Sequence, residues 1–246
     1  MRFSAASAAL SLALLYLPGC DNATPPLETA APAFARAAPA MPPAGDFVRD
    51  VDNRYFPLSP GTVRTYRSAT DEGEEITRVT VTNQTKRILG IRATVVHDEV
   101  LLNGSLIEDT YDWFAQDAAG NVWYLGEASC EMEEGECVST EGSWEAGVDG
   151  AVAGIIMWAD PAAHTGETYQ QEYYEGIAED RGKVLHTGLS VQVPAGQFND
   201  CVETMDWTPL EPGGREHKYY CAGIGMVLEV ATRNGGTRNE LVIAVP

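Results

Sequence analysis

The chain predicts an antiparallel all-β domain, and three observations carry that expectation. Short runs of β-branched and aromatic residues recur between Gly, Asn and Pro turns, as in strands joined by tight connections. In Arg78-Val79-Thr80-Val81-Thr82 apolar and polar residues alternate with period two, which gives a strand one buried and one wet face. Helical periodicity is scarce.

Taken in order, the first expected strand, 62–68, follows the turn Pro60-Gly61, and the second, 76–85, contains the alternating run. Strands 91–102 and 105–116 flank Asn103-Gly104, a strong signal for a two-residue hairpin. Strand 122–126 follows Gly120-Asn121. The acidic stretch 129–147 and the segment 154–161 are less regular and are expected to form a crossover with room for a short helix. Strands 168–174, 183–193 and 198–208 come next, the last two separated by Pro194-Ala195-Gly196. Beyond the turn Pro209-Leu210-Glu211-Pro212-Gly213-Gly214 lie 216–221, 226–232 and 240–245.

The N-terminal region reads differently. Upstream of Cys20 the one charged side chain is Arg2, and the apolar run from Ala8 to Leu17 is far shorter than the roughly 20 residues that span a bilayer. The tetrapeptide Leu17-Pro18-Gly19-Cys20 resembles a bacterial lipoprotein box. The resemblance implies a signal peptide over 1–19, cleavage before Cys20, a diacylglyceryl group on its sulfur and acylation, such as palmitate, of the new amino terminus. Cleavage there would leave 227 residues (246 − 19) with a formal net charge of −21 (−20 less the charge of Arg2). Residues 20–45 are Ala- and Pro-rich without apolar period and read as a tether. Residues 46–246 are long enough for a single core and contain no second Pro-rich break. The expected location is the bacterial cell envelope, with the domain extracytoplasmic and the lipid anchor as its membrane contact.

With 36 acidic residues against 16 basic ones and no basic cluster, the chain repels nucleic acid, whose binding rests on neutralised phosphates. Divalent cations or cationic partners fit better, while acidity also keeps an exported domain soluble; an envelope ligand or protein is the further partner expected. Once Cys20 is assigned to lipid, Cys130, Cys137, Cys201 and Cys221 remain, and four cysteines in an exported chain read as disulfides with three pairings open. Local geometry favours one of them. A hairpin centred on Glu211 sets Cys201 opposite Cys221, and Cys130 and Cys137 bracket an acidic loop whose closure would stabilise by roughly 2 to 3 kcal/mol. A zinc site built from these thiols would lack Cys-x-x-Cys spacing.

Candidate ligand or cation sites are acidic. A two-residue loop at Asn103-Gly104 makes facing positions sum to 207, which sets Asp98 opposite Asp109 and Glu99 opposite Glu108. Asp112, Asp117 and Asn121 lie close by, and calcium takes such oxygen ligands, although no complete EF-hand loop is present. No cofactor is otherwise expected. A second cluster runs from Gln171 to Asp180, where alternation places Glu172 with Tyr174, and Glu179 and Asp180 follow. Paired acids there or at Asp109 and Asp112 could serve a hydrolase. Among His97, His164, His186 and His217 none has metalloprotease spacing; His217, facing Met205, is the one site candidate. Trp113, Trp123, Trp144, Trp158 and Trp207 can stack on a ligand or fill a core. No nucleophile elbow, P-loop or dinucleotide fingerprint occurs.

The blocks Tyr55-Phe56-Pro57-Leu58-x-Pro60-Gly61-Thr62, Asp112 to Asp117 with Gly120 to Tyr124, Ser143 to Gly147, Gln171 to Asp180, Trp207 to Gly213 and Glu216 to Tyr220 resemble a largely uncharacterised family of exported bacterial proteins. Where that family reads Tyr-Tyr-Ala-Pro-Gly, this chain has Tyr219-Tyr220-Cys221-Ala222-Gly223, and the segment bracketed by Cys130 and Cys137 is likewise particular to it. The resemblance carries no activity and so no catalytic residue. Val193 to Phe198 and Gly223 to Val227 are similar to half-barrel lipoprotein domains, which implies a strongly curved, open antiparallel sheet enclosing an apolar ligand or packing on a partner. The expected function is a non-enzymatic binding domain for a small ligand, cation or envelope component. The alternatives are a hydrolase of envelope polysaccharide and a structural or assembly lipoprotein.

Overall fold

The computed structural model describes residues 40–232 and 236–245. The expected signal 1–19, the lipidation site Cys20 and the tether up to residue 39 lie outside the described residues. The described chain opens with a 3-10 turn, Ala44–Asp46, flanked by Met41 and Phe47, which pack against the main core.

Sixteen strands follow among the described residues. They are β1 (Val63–Thr70), β2 (Gly73–Ile88), β3 (Ile91–Leu102), β4 (Ser105–Gln116), β5 (Val122–Ala128), β6 (Glu131–Glu133), β7 (Glu136–Ser139), β8 (Trp144–Glu145), β9 (Val152–Met157), β10 (Thr168–Gln170), β11 (Glu172–Tyr173), β12 (Arg181–Val193), β13 (Gly196–Trp207), β14 (Glu216–Cys221), β15 (Gly225–Ala231) and β16 (Arg238–Val245). Their order is β10-β12-β13-β14-β15-β16-β1-β2-β3-β4-β5-β9-β11, with β6 beside β4, β7 beside β6 and β8 beside β5. This is the expected all-β class: one antiparallel sheet, curved until it nearly closes into a barrel with one unsealed seam.

The region from 129 to 161 differs from the expected crossover. It holds the acidic hairpin β6–β7, the short β8 and the full strand β9, and its helical element is a 3-10 turn at Pro161–His164. Strand β9 escapes an alternation test because Ala153, Gly154, Ile155 and Met157 are buried while only Val152 is exposed, so both of its faces are covered.

The seam has a covalent bridge. Its two edges are β10 and β11, which Gln171 alone separates: 168–170 pair with β12, and 172–173 pair with β9. The chain therefore passes from one edge of the sheet to the other at a single residue. Gly154 makes room for that passage, since a Cβ there would lie 2.6 Å from the Gln171 carbonyl.

Bulges decide which side chains face the interior, because one extra residue reverses the alternation beyond it. The Asn103-Gly104 hairpin forms with Leu102 facing Ser105 and Leu101 facing Leu106, but Ile107 is then left unpaired and Val100 faces Glu108. The expected oppositions are thereby corrected: Asp98 faces Thr110, and Glu99 faces Asp109. A second shift, between Asp112 and Phe114, falls opposite Leu125 and Gly126. Gly126 has φ of 130° and a Cβ there would lie 2.9 Å from Glu145 Cα, so glycine alone fits. A third shift leaves Val227 extra between Leu228 and Met226.

One core cluster gathers Val81, Val96, Phe114, Trp123, Val184, Val202 and others. A second contains Val191, Val193, Cys201, Cys221, Val227, Leu228 and Leu241. The far end of the β12–β13 hairpin reaches across to this second cluster, where Ala195 N–H donates to Leu241 O at 3.0 Å. Cys201 pairs with Cys221 inside it, both fully buried, and Cys130 pairs with Cys137 across the exposed acidic hairpin.

Replacing Gly154 with Ala should destabilise the domain by roughly 1 to 3 kcal/mol, the usual range for overpacking against backbone. Gly45→Ala, where nothing lies within 4 Å, should change it by less than about 0.5 kcal/mol. Urea denaturation of both variants checks this, and equal stabilities would refute the seam packing.

Candidate functional site

The barrel holds a partly open cavity of about 360 Å³. Its apolar wall includes Val79 from β2, Val96 from β3, Phe114 from β4, Ile156 from β9, Tyr220 from β14 and Met226 from β15. Phe56, Pro57 and Leu58, from the strap ahead of β1, complete it. Phe56 meets Phe114 edge-on with ring centroids 5.1 Å apart and lies 6.0 Å from the Tyr220 ring.

The strap is held by side chains rather than by a ladder. Gln116 Oε1 accepts from the Asp52 and Asn53 amides at 2.9 and 2.8 Å, and its Nε2 donates to Asp52 at 2.7 Å. Asn53 Nδ2 donates to the Gly120 and Trp158 carbonyls at 2.8 and 3.1 Å. Arg54 and the Tyr55 hydroxyl both engage Asp200. The motif Tyr55-Phe56-Pro57-Leu58 is thus a closure for the interior.

Six carboxyl groups line the cavity: Asp98, Asp112, Glu127, Glu172, Asp180 and Glu229. Two cations accompany them, Arg64 and Lys218. The bulges bring these groups together. With Ile107 extra, Asp98 and Asp112 fall on the inner face with Phe114; without it, Asp98 would share its face with Asp109. With Gly126 extra, Tyr124 and Glu127 both point inward although three positions apart, and Glu127 faces Asp112 across the strand pair. Val227 does the same for Met226 and Glu229.

Burial raises the pKa of Asp98 and of Asp112 to about 7, with only neighbouring acids adding to the effect at Asp98. Asp112 gains partial relief from Tyr124, which also opposes the rise of Glu127 to about 7 caused by burial and by Asp112. Glu172 rises to about 8 through burial, then through Asp180 and Glu127, with the Trp144 indole opposing. Asp98 and Asp112 lie deep in the protein yet keep accessible surface, because they border the cavity.

Tyr124 joins two of these acids. Its hydroxyl lies 2.6 Å from Asp112 Oδ1 and 2.8 Å from Glu127 Oε2. Both acids thus compete for one hydroxyl proton, and protonation of either carboxyl would let it donate to the tyrosine oxygen while the hydroxyl donates to the other.

The other side of the cavity is balanced. Burial works against the charge on Lys218, but Glu229, Asp206 and Glu216 outweigh it and raise its pKa well above the ordinary range. Its Nζ lies 3.2 Å from Glu216, 3.5 Å from Asp206 and 3.9 Å from Glu229. Arg64 is spent on backbone, donating to Ile224 O at 2.7 Å and Pro57 O at 2.8 Å.

Of the residues singled out from sequence, Asp98, Asp112, Glu172 and Asp180 meet at this cavity. Glu108 lies exposed at the end of the same β4 row, where Thr110 donates to it at 3.0 Å. Glu99 and Asp109 face the opposite side, against Arg78 and His97 respectively. Asp117 is a turn lock: it accepts from the Asn121 amide, Asn121 Nδ2 and Trp123 Nε1 at 2.8 to 3.0 Å. Glu179 closes the loop after Tyr174 by accepting from Gly176 N–H at 2.9 Å, and Tyr174 packs against the core. His217 faces Met205 as expected and pairs with Glu203 at 2.7 Å, on the face away from the cavity. Neither acid pair named for hydrolysis converges, since Glu172 and Asp112 line the cavity whereas Glu179 and Asp109 do not. Among the described residues, no group of three or more His, Cys, Asp or Glu is placed to hold a metal ion.

Sequence reasoning missed Glu127, Glu229, Tyr124 and Lys218. The available signal was Gly126, an isolated glycine inside a strand pattern that marks the bulge beside Tyr124 and Glu127; Lys218 and Glu229 had none.

No family profile matches the chain, and no curated protein matches it significantly. It is similar to two solved structures. One, from Bacteroides fragilis, is described as an exported protein with a YmcC-like fold; it shares 17% identity at a TM-score of 0.46, over 79% of this chain and 100% of that one. The other, from Parabacteroides distasonis, is described as a lipoprotein; it shares 11% identity at a TM-score of 0.36, over 78% of this chain and 99% of that one.

The raised carboxyl pKa values fix the sign of the pH response. Unfolded Asp and Glu titrate near ~4, so between there and about 7 to 8 the native state holds more protons than the unfolded state. Stability then falls as pH rises through that window. Tm should drop by several degrees between roughly pH 5 and pH 8, and Glu172→Gln should flatten the drop. A scanning-calorimetry Tm that rises over this range would contradict the enclosed acids.

Proposed function

We propose that this chain is a lipid-anchored, non-enzymatic binding protein of the bacterial cell envelope that holds a small ligand inside its β-barrel. The observation that carries the reading is the cavity itself. Its volume, about 360 Å³, is within the ordinary range of small-molecule sites, and it combines an apolar wall with charged groups on both sides. A fold selected for stability alone would not gather like charges around such a hollow, because burying them together costs stability. The strap is the part of the wall fastened by side-chain hydrogen bonds, and so the natural place for entry.

The location rests on the sequence. Signal peptide 1–19, acylated Cys20 and tether 20–45 would hold the domain of 46–246 at a distance from a membrane surface. Membrane contact then runs through lipid, and the interior stays free for ligand.

The neutral dye N-phenylnaphthylamine should bind the purified domain with one-to-one stoichiometry and increased fluorescence. Val79→Trp, which pushes an indole into the cavity, should weaken that binding at least tenfold while circular dichroism stays unchanged. Dye binding indifferent to Val79→Trp, or none, would overturn the reading. In cells, Cys20→Ala should abolish incorporation of labelled palmitate; undiminished labelling would refute the anchor.

A further inference from the structure

Taking the binding reading as its basis, we infer that the ligand is a compact organic cation, an amine or quaternary ammonium on an apolar body, with its charge seated among Asp98, Asp112, Glu127 and Glu172. Charge bookkeeping inside the barrel leads there. Six carboxyls face two cations, and both cations are already engaged: Arg64 by the Ile224 and Pro57 carbonyls, Lys218 by Glu216, Asp206 and Glu229. The half of the cavity formed by β3, β4, β5 and β11 has no positive group of its own. The charged neighbours acting on Asp98, on Asp112 and on Glu172 are all acids.

A second observation points into the same space. Asp98 Oδ1 is buried and has no hydrogen-bond partner, a costly state that a cation in the cavity would relieve. The body of the ligand is indicated by the walls. Phe56, Phe114, Tyr124 and Tyr220 offer ring faces and edges, and aromatic rings beside carboxylates form the environment that attracts organic cations. A bare metal ion fits less well, since no three-ligand group occurs among the described residues. An anionic ligand would add to the excess of negative charge.

Binding should be coupled to protons. The groups facing the proposed cation are Asp98 from β3, Asp112 from β4, Tyr124 and Glu127 from β5, and Glu172 from β11. Across the cavity stand Asp180, Lys218 from β14 and Glu229 from β15, with Tyr66 and Arg64 from β1 beyond them. A fixed cation favours the ionised carboxylates, so protons held by the empty cavity leave when it binds.

Phenyltrimethylammonium and its neutral isostere tert-butylbenzene differ only in charge, and the cation's charge does not depend on pH. In competition with N-phenylnaphthylamine, the cation should bind at least tenfold more tightly than the isostere at pH 8, and the preference should shrink below pH 6. Calorimetry in buffers of different ionisation enthalpy should show net proton release. Asp98→Asn and Glu172→Gln should each reduce the preference at least fivefold while raising Tm, an outcome that separates lost recognition from lost folding. If the dye binds but both probes compete equally, the cation inference fails and the binding reading stands. If dye and both probes fail to bind, both readings fail together.

Discussion

The register of β4 against β3 is the constraint on which the interior depends. One unpaired residue, Ile107, sits just beyond the Asn103-Gly104 turn and shifts every later pair by one. Period-two alternation converts that shift into a change of face. Asp112 and Phe114 turn inward beside Asp98, and Asp109 turns outward to His97, which stacks on Tyr111. Further along the sheet Gly126 and Val227 repeat the device, so the acids that share the cavity are neighbours in space without the sequence spacing that neighbours on a regular strand would have.

An enclosed set of like charges is a local conflict in an otherwise consistent fold. The strap, the two core clusters and the Cys201–Cys221 disulfide supply stability around it. The raised pKa values of Asp112 and Glu127 let protons relieve part of the conflict, and Tyr124 lies within hydrogen-bond distance of both. Such a departure from the usual rule of pairing buried charges is the kind of feature that functional sites retain. The same groups that weaken the empty barrel are the ones that would receive a cationic ligand.

Much of the fold was legible in the sequence. The runs 91–102, 105–116 and 216–221 coincide with strands, and the turn around Glu211 places Cys201 opposite Cys221 as its centring requires. These features rest on local chemistry, turn residues and apolar alternation, which a single sequence displays. The site was legible only in part. Asp98, Asp112, Glu172 and Asp180 were picked as acids, but their convergence depends on bulges and on the sheet's curvature, which are set by packing across strands distant in sequence. Glu127 stayed unnoticed because regular alternation puts it on the face opposite Tyr124. Strand β9 stayed unnoticed because its buried run, interrupted by Gly154, has no wet face.

A site-resolved carboxyl-carbon NMR titration of the isotope-labelled domain tests the central claim most directly, that the barrel encloses an acidic half without counter-cations. Asp98, Asp112 and Glu127 should titrate near 7 and Glu172 near 8. Titration of all four below about 5, in the ordinary carboxylate range, would contradict it.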